Sequence, residues 1–102
     1  MDEPPETGIT WRAFGPAAFT DAKREGRPVL LSVTTPWCRP CREMDREVYS
    51  DPEIAARVES SFVPVRADGD RRPRVRDRYT MGGFPSTVFL TPTGELLTGG
   101  TL

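Results

Sequence analysis

The sequence has 102 residues, of which 36% are hydrophobic and 28% are charged, and its formal net charge is −1. A chain of this size is expected to form one soluble globular domain, and a charge this close to zero gives no reason to expect a nucleic-acid partner. No apolar run approaches the roughly 20 residues of a membrane-spanning helix, so no membrane partner is predicted. The sequence contains no histidine, which excludes Ser-His-Asp and Cys-His catalysis within this chain.

The N-terminal residues 1–10 are predicted to form a disordered lead-in, and residues 11–102 a single domain. The first residues are acidic, contain Pro4 and Pro5, and lack the apolar stretch of a secretory signal. A cytoplasmic location is the resulting expectation.

Helical and strand patterns alternate along the rest of the chain. Proline, glycine and serine mark most of the boundaries between them. The predicted helices are residues 16–25, 42–48, 52–59 and 75–79, and the predicted strands are residues 29–34, 62–68, 86–90 and 95–98. The last two strands have the spacing of an antiparallel hairpin, and the alternating order predicts a layered α/β domain with a partly parallel sheet.

The only two cysteines, Cys38 and Cys41, lie between the apolar strand 29–34 and a helical stretch. A thiolate is the nucleophile in disulfide exchange, and the N–H groups of a helix's first turn favour an anion. Because Arg39 adds a full positive charge beside Cys38, we predict that the Cys38 pKa lies below the ordinary value of about 8.5. Since Cys41 shares a helix face with Met44 and Val48, Cys41 is expected to be buried and Cys38 exposed.

Redox catalysis is the preferred interpretation of this cysteine pair, and two alternatives stay open. The pair could be a structural or vestigial dithiol, or it could bind a metal or cluster together with a partner chain. Two cysteines supply only half of a four-ligand site and no second Cys or His pair exists, so no metal and no cofactor is predicted.

A run of charged residues, 69–78, follows the predicted strand 62–68. It is interpreted first as a solvated loop and helix face, with a site for an acidic partner as the alternative. The run contains Asp70, Arg71, Arg72, Arg74, Arg76, Asp77 and Arg78.

In the order and spacing of its motifs, the chain resembles the thioredoxin fold family. The matching residues are Pro28 with the strand after it, Trp37-Cys38-Arg39-Pro40-Cys41, Asp68, and Gly83-Phe84-Pro85. Within that family the chain is similar to domains at the front of long bacterial and archaeal proteins whose remainder resembles the helical barrel of sugar epimerases. It also resembles the disulfide-relay domains of periplasmic reductant transporters.

This resemblance implies a central mixed sheet of about four strands flanked by helices. It implies a thiol–disulfide oxidoreductase in which Cys38 and Cys41 are catalytic, with a protein or small-molecule disulfide as substrate and a thiol reductant as partner. It further implies that the peptide bond before Pro85 is cis. The residues expected to contact substrate are Trp37, Arg39, Pro40, Gly83, Phe84 and Pro85.

Two departures from the thioredoxin pattern favour an alternative function. Ser32 stands where thioredoxins carry a buried aspartate, and a serine cannot accept the proton of the second thiol at neutral pH. Water, Glu43 or Asp45 could accept it instead. The C-terminal helix of thioredoxins has no counterpart, which predicts either a fragment or a fold left open on one side, with a C-terminal domain of the same full-length protein as a candidate partner. The alternative function is therefore a non-catalytic binding or docking module.

Overall fold

A computed structural model describes residues 8–101, which form a five-stranded mixed sheet with helices on both faces. The elements in chain order are β1 (Arg12–Ala13), α1 (Pro16–Glu25), β2 (Val29–Thr34), α2 (Arg39–Met44), a π-helical continuation of α2 (Asp45–Tyr49), α3 (Pro52–Ser61), β3 (Val63–Asp68), α4 (Pro73–Tyr79), β4 (Ser86–Leu90) and β5 (Leu96–Thr101). The strand order is β1-β3-β2-β4-β5. β1, β3 and β2 run parallel, whereas β4 and β5 are each antiparallel to the strand before them in this order.

This topology confirms the predicted mixed α/β sheet. The strand beyond the predicted four is β1, which contains only two residues. Within residues 8–101, no helix is long and apolar enough to cross a membrane.

The central strand β2 is covered on both faces of the sheet. Val29, Leu31 and Val33 are fully buried in a cluster with residues of α1 and α4. Leu30 points to the other face and packs with Tyr49 and with residues of α3. Because helices bury this strand on both faces of the sheet, the position of its last residue, Thr34, is fixed. The loop that follows Thr34 carries the cysteine pair.

The disordered lead-in predicted for residues 1–10 includes residues that are packed in the structure. The backbone N–H of Gly8 donates a hydrogen bond to the carbonyl of Tyr49 over 3.1 Å, and the side chain of Ile9 is buried. Residues 8–10 therefore belong to the packed domain, because Ile9 covers the α3 face of the sheet. Residues 1–7 lie outside the described part of the chain.

Candidate active site

Cys38 and Cys41 form a disulfide at the start of α2, with 5.3 Å between their Cα atoms. Cys38 is the N-cap residue of α2, and its Sγ accepts a hydrogen bond from the backbone N–H of Cys41 over 3.1 Å. The backbone N–H of Cys38 donates to the carbonyl of Thr35 over 3.2 Å, which ties the turn to the end of β2. Pro40 fits the first helical turn because an N–H there would have no partner within the helix.

Both cysteines are buried, which corrects the prediction that Cys38 is exposed. Cys38 is 3% exposed and Cys41 is 4% exposed. Helix periodicity placed Cys41 correctly, but it says nothing about a capping residue that precedes the helix. The Sγ of Cys38 lies against the N–H of Cys41, so the side chain covers its own helix end and not the solvent side.

Trp37 and Phe84 form an aromatic edge beside the disulfide. Their rings meet edge to face, with 5.9 Å between the centroids. The indole Nε1 of the exposed Trp37 donates to Oδ2 of Asp70 over 3.0 Å. A Cβ on Gly69 would lie only 3.2 Å from the ring of Phe84, so the absence of a side chain at Gly69 permits the close approach of this ring. The Phe84–Pro85 peptide bond is cis.

The other predicted substrate contacts differ in exposure. Arg39 and Pro40 are exposed in the first turn of α2, Gly83 is half-buried and Pro85 is buried. The Nε of Arg39 lies 3.4 Å from Oε1 of Glu43, so its charge is shared with that carboxylate and screened by solvent. The effect of Arg39 on Cys38 is therefore weaker than its place in the sequence suggests.

A buried ion pair lies one helical turn beyond Cys41. Asp45 accepts two hydrogen bonds from Arg66, one from Nη1 over 3.0 Å and one from Nη2 over 2.7 Å. The guanidinium carbon of Arg66 lies 4.2 Å from the centroid of the Trp11 ring. Asp45, one of the candidate proton acceptors for Cys41, is 5% exposed, and Arg66 occupies both of its carboxylate oxygens.

Tyr49 adds a neutral phenol to the same cluster. Burial raises the pKa of Tyr49 above its ordinary value of 10.0, and the nearby charge of Asp45 acts in the same direction. Thr87, by a hydrogen bond, and Arg66, by its charge, partly oppose this rise in pKa. The phenol therefore stays protonated at neutral pH.

Ser32 lies fully buried between neighbouring strands, opposite Arg66 on β3 and Thr87 on β4. Its Oγ, the Oγ1 of Thr35 and the Nε of Arg66 have no hydrogen-bond partner within the described part of the chain. Buried polar atoms of this kind are commonly satisfied by internal water. Ser32 therefore supplies a small polar site on the face of the sheet that carries the Asp45–Arg66 pair.

Among residues 8–101, no group of three or more His, Cys, Asp or Glu side chains could hold a metal ion. The groups described at this end of the sheet are the Cys38–Cys41 disulfide, the aromatic edge and the Asp45–Arg66 ion pair.

The family model Thioredox_DsbH, described as "Protein of unknown function, DUF255", matches residues 3–102. The chain belongs to this family. The resemblance to thioredoxin-like domains that the cysteine and proline motifs indicated is thereby confirmed. A thioredoxin from Thermus thermophilus agrees with this placement: its solved structure is 27% identical, covers 90% of this chain and 74% of its own, and superposes with a TM-score of 0.76.

Relatives of this Thioredox_DsbH domain are much longer proteins. Spermatogenesis-associated protein 20 from Rattus norvegicus is 35% identical in an alignment of length 101 that covers 91% of this chain and 13% of that protein. Thiol:disulfide interchange protein DsbD 1 from Pseudomonas aeruginosa is 34% identical in an alignment of length 101 that covers 90% of this chain and 17% of that protein. The chain thus spans less than a fifth of the length of either relative.

The Thioredox_DsbH domain has site residues that the sequence did not reveal. Asp70 contacts Trp37 across 33 positions of sequence, and Arg66 contacts Asp45 across 21. One signal could have found Asp70: it follows β3, and parallel strands such as β2 and β3 end at the same edge of a sheet.

Proposed function

We propose that this domain is a thiol–disulfide oxidoreductase that exchanges disulfides through Cys38 and Cys41. The observation that carries the proposal is the Cys38–Cys41 disulfide at the N-terminus of α2. The similarity to the Pseudomonas protein, which is named a thiol:disulfide interchange protein, supports the same reaction type. The cytoplasmic location stays a prediction.

In the reducing direction, the Cys38 thiolate attacks one sulfur of the substrate disulfide. A Cys38–substrate S–S bond forms, and the second substrate sulfur leaves as a thiolate that takes a proton from solvent. Deprotonated Cys41 then attacks the Sγ of Cys38, which releases the first substrate sulfur and forms the Cys38–Cys41 bond. Two electrons pass to the substrate, and a thiol reductant returns the protein to its dithiol form by the reverse exchange.

Cys38 is assigned as the attacking sulfur because of its place at the helix end. Its Sγ accepts the N–H of Cys41, and the partial positive charge of the helix terminus, roughly half a unit, favours the thiolate there. Cys41 follows three residues later within α2, and its bond to Cys38 shows that its Sγ is within reach to resolve a mixed disulfide on Cys38.

Water is assigned as the proton acceptor for Cys41. The hydroxyl of Ser32 is not a base at neutral pH. Both oxygens of Asp45 accept hydrogen bonds from Arg66, and Glu43 forms an ion pair with Arg39 on the exposed side of α2. Because Arg66 occupies both oxygens of Asp45, and Glu43 is exposed whereas Cys41 is buried, water is assigned as the acceptor in place of either carboxylate.

A second candidate function is a non-catalytic docking module, and the burial of both cysteines favours it. A disulfide whose residues are 3% and 4% exposed offers a small target to a thiol. In a longer protein, such a domain would dock on a further domain and use the aromatic edge for contact alone.

Insulin reduction by dithiothreitol separates the two functions. The oxidoreductase is expected to accelerate insulin precipitation, and Cys38→Ser is expected to abolish the acceleration while keeping the circular dichroism spectrum of the wild type. Arg57→Gln, an exposed change on α3, serves as the control that keeps full activity. A folded wild-type domain that gives no acceleration above dithiothreitol alone would contradict the oxidoreductase and support the docking module.

A further inference from the structure

The turn after β3 and helix α4 carry a local positive charge that neither the dithiol chemistry nor the core uses. Residues 69–80 contain five arginines and two aspartates, a local charge of +3, whereas the whole chain carries −1. The arginines are Arg71, Arg72, Arg74, Arg76 and Arg78. Positive charge is thus concentrated in one short segment of a protein that is otherwise acidic.

This segment begins next to the disulfide. Gly69 donates its backbone N–H to the carbonyl of Thr34 over 2.7 Å, which fastens the turn to the end of β2. Asp70 accepts the indole N–H of Trp37, the residue directly before Cys38. Arg71 and Arg72 therefore follow within two residues of a direct contact to the active-site loop.

Three guanidinium groups of the segment are largely uncompensated, and Arg71, Arg72 and Arg74 are named here the arginine edge. Arg71 is 88% exposed in its side chain, and its only ion pair within residues 8–101, with Asp68, is long at 3.8 Å. Arg72 and Arg74 are exposed and form no ion pair within residues 8–101. Asp70, which precedes them in sequence, accepts a hydrogen bond from the Trp37 indole and forms no ion pair with them within residues 8–101.

The remaining two arginines of the segment already have partners. Arg76 forms an ion pair with Asp77 over 3.2 Å, and the guanidinium of Arg78 lies 5.2 Å from the centroid of the Tyr79 ring. A ring contact leaves the charge of Arg78 in place, so positive charge continues along α4, and the arginine edge is the part of it that follows the contact to the cysteine loop most closely in sequence.

We infer that the arginine edge binds an acidic segment flanking the disulfide of a protein substrate, an inference that rests on the proposed oxidoreductase function. Guanidinium groups pair with carboxylates in planar geometry, and a cluster of one sign raises the rate of encounter with the opposite sign. A nucleic acid fits less well, because an overall charge of −1 repels a long polyanion outside this edge. The inferred partner is thus an acidic protein segment.

The test compares two synthetic peptides with the same central disulfide, one flanked by Asp and Glu and the other by Asn and Gln. At low salt, the acidic peptide is expected to be reduced with a kcat/KM about tenfold higher, which is the lower end of electrostatic steering. This preference should fall as salt shortens the screening length from about 30 Å at 0.01 M to about 8 Å at 0.15 M.

Arg72→Gln/Arg74→Gln is expected to remove the preference while leaving the rate with the neutral peptide unchanged. Lys23→Gln/Arg57→Gln removes the same number of exposed charges from α1 and α3, and it should keep the preference. The reversal Arg72→Glu/Arg74→Glu should make the neutral peptide the better substrate of the two.

Each outcome bears on one claim. Equal kcat/KM for both peptides would overturn the role of the arginine edge while the reaction itself stands. The same conclusion would follow if Arg72→Gln/Arg74→Gln and Lys23→Gln/Arg57→Gln lost the preference for the acidic peptide equally. Reduction of neither peptide would instead refute the proposed function. A duplex oligonucleotide that inhibits as strongly as a disulfide-free acidic peptide would overturn the assignment to a protein segment.

Discussion

Replacing Asp45 with asparagine should destabilise the fold more than any other single charge change near the dithiol. The substitution keeps the size of the side chain but removes its charge. Asparagine offers one oxygen to Arg66 and turns an N–H₂ group toward the other guanidinium nitrogen, so one of the two hydrogen bonds is lost. The guanidinium is then left without a counter-ion.

The magnitude follows from the burial of the pair. Removing one partner of a buried ion pair costs about 3–5 kcal/mol. Arg66 keeps 23% of its side-chain surface in solvent and lies over the Trp11 ring, so the lower end, about 3 kcal/mol, is expected. Glu43→Gln, which breaks the exposed pair with Arg39, should cost at most about 0.5 kcal/mol.

Urea unfolding followed by tryptophan fluorescence measures this difference. Urea is preferred over guanidinium chloride because a salt would screen the pair. Trp11 lies against Arg66 and therefore reports the cluster directly. Asp45→Asn/Arg66→Met, which removes the orphaned cation as well, should recover at least about 1 kcal/mol of the loss.

Two results would refute the reasoning about this pair. A free energy of unfolding for Asp45→Asn within about 0.5 kcal/mol of the wild type would show that the pair stabilises nothing. A pH profile of disulfide exchange that loses a titration in Asp45→Asn would show that Asp45, and not water, receives the proton of Cys41.

Three further predictions concern packing, pH and thiol chemistry. A Cβ on Gly99 would lie 2.7 Å from Cγ1 of Val88, whereas one on Gly100 would meet no atom within 4 Å. Gly99→Ala should therefore lower the free energy of unfolding, measured by thermal unfolding, by about 1–3 kcal/mol, and Gly100→Ala should leave it nearly unchanged. Equal losses would contradict the β4–β5 packing. The folded-state pKa of Tyr49 is raised above 10.0, so the unfolded chain loses this proton first, and stability should fall as pH rises above about 10. Tyr49→Phe should flatten that fall in urea titrations across pH, and an unchanged slope would refute the link. The rate of alkylation of the reduced protein, measured across pH, should place the Cys38 pKa below about 8.5. A pKa at or above about 8.5 would contradict the claim that the N-terminus of α2 stabilises the thiolate.

Local signals predicted much of the fold. α1 and β2 were predicted within the bounds that the structure shows, because proline and glycine mark their ends and the residues of β2 are nearly all apolar. The cysteine motif likewise placed the disulfide at a strand-to-helix turn, since strand, turn and helix follow one another directly in the chain.

The rest of the site depends on contacts that no local pattern encodes. Asp45 was named from the sequence only as a candidate proton acceptor, because nothing near it in sequence indicates Arg66, which reaches it from β3. The burial of Cys38 depends on a hydrogen bond to the backbone of its own helix, and the Trp37–Asp70 contact joins two loops that meet only in the folded sheet. Charge, by contrast, can be counted in the sequence. The arginine-rich run could therefore be named as an alternative site for an acidic partner before its position in the fold was known.

Trapping of a mixed disulfide tests the assignment of Cys38 most directly. Reduced Cys41→Ser is mixed with a disulfide-linked peptide, and the products are mapped by mass spectrometry. The peptide is expected on Cys38 and to persist, because no second thiol can release it. Reduced Cys38→Ser should take up little peptide over the same time; equal labelling of Cys41 in that variant, or no adduct on Cys38, would contradict the mechanism.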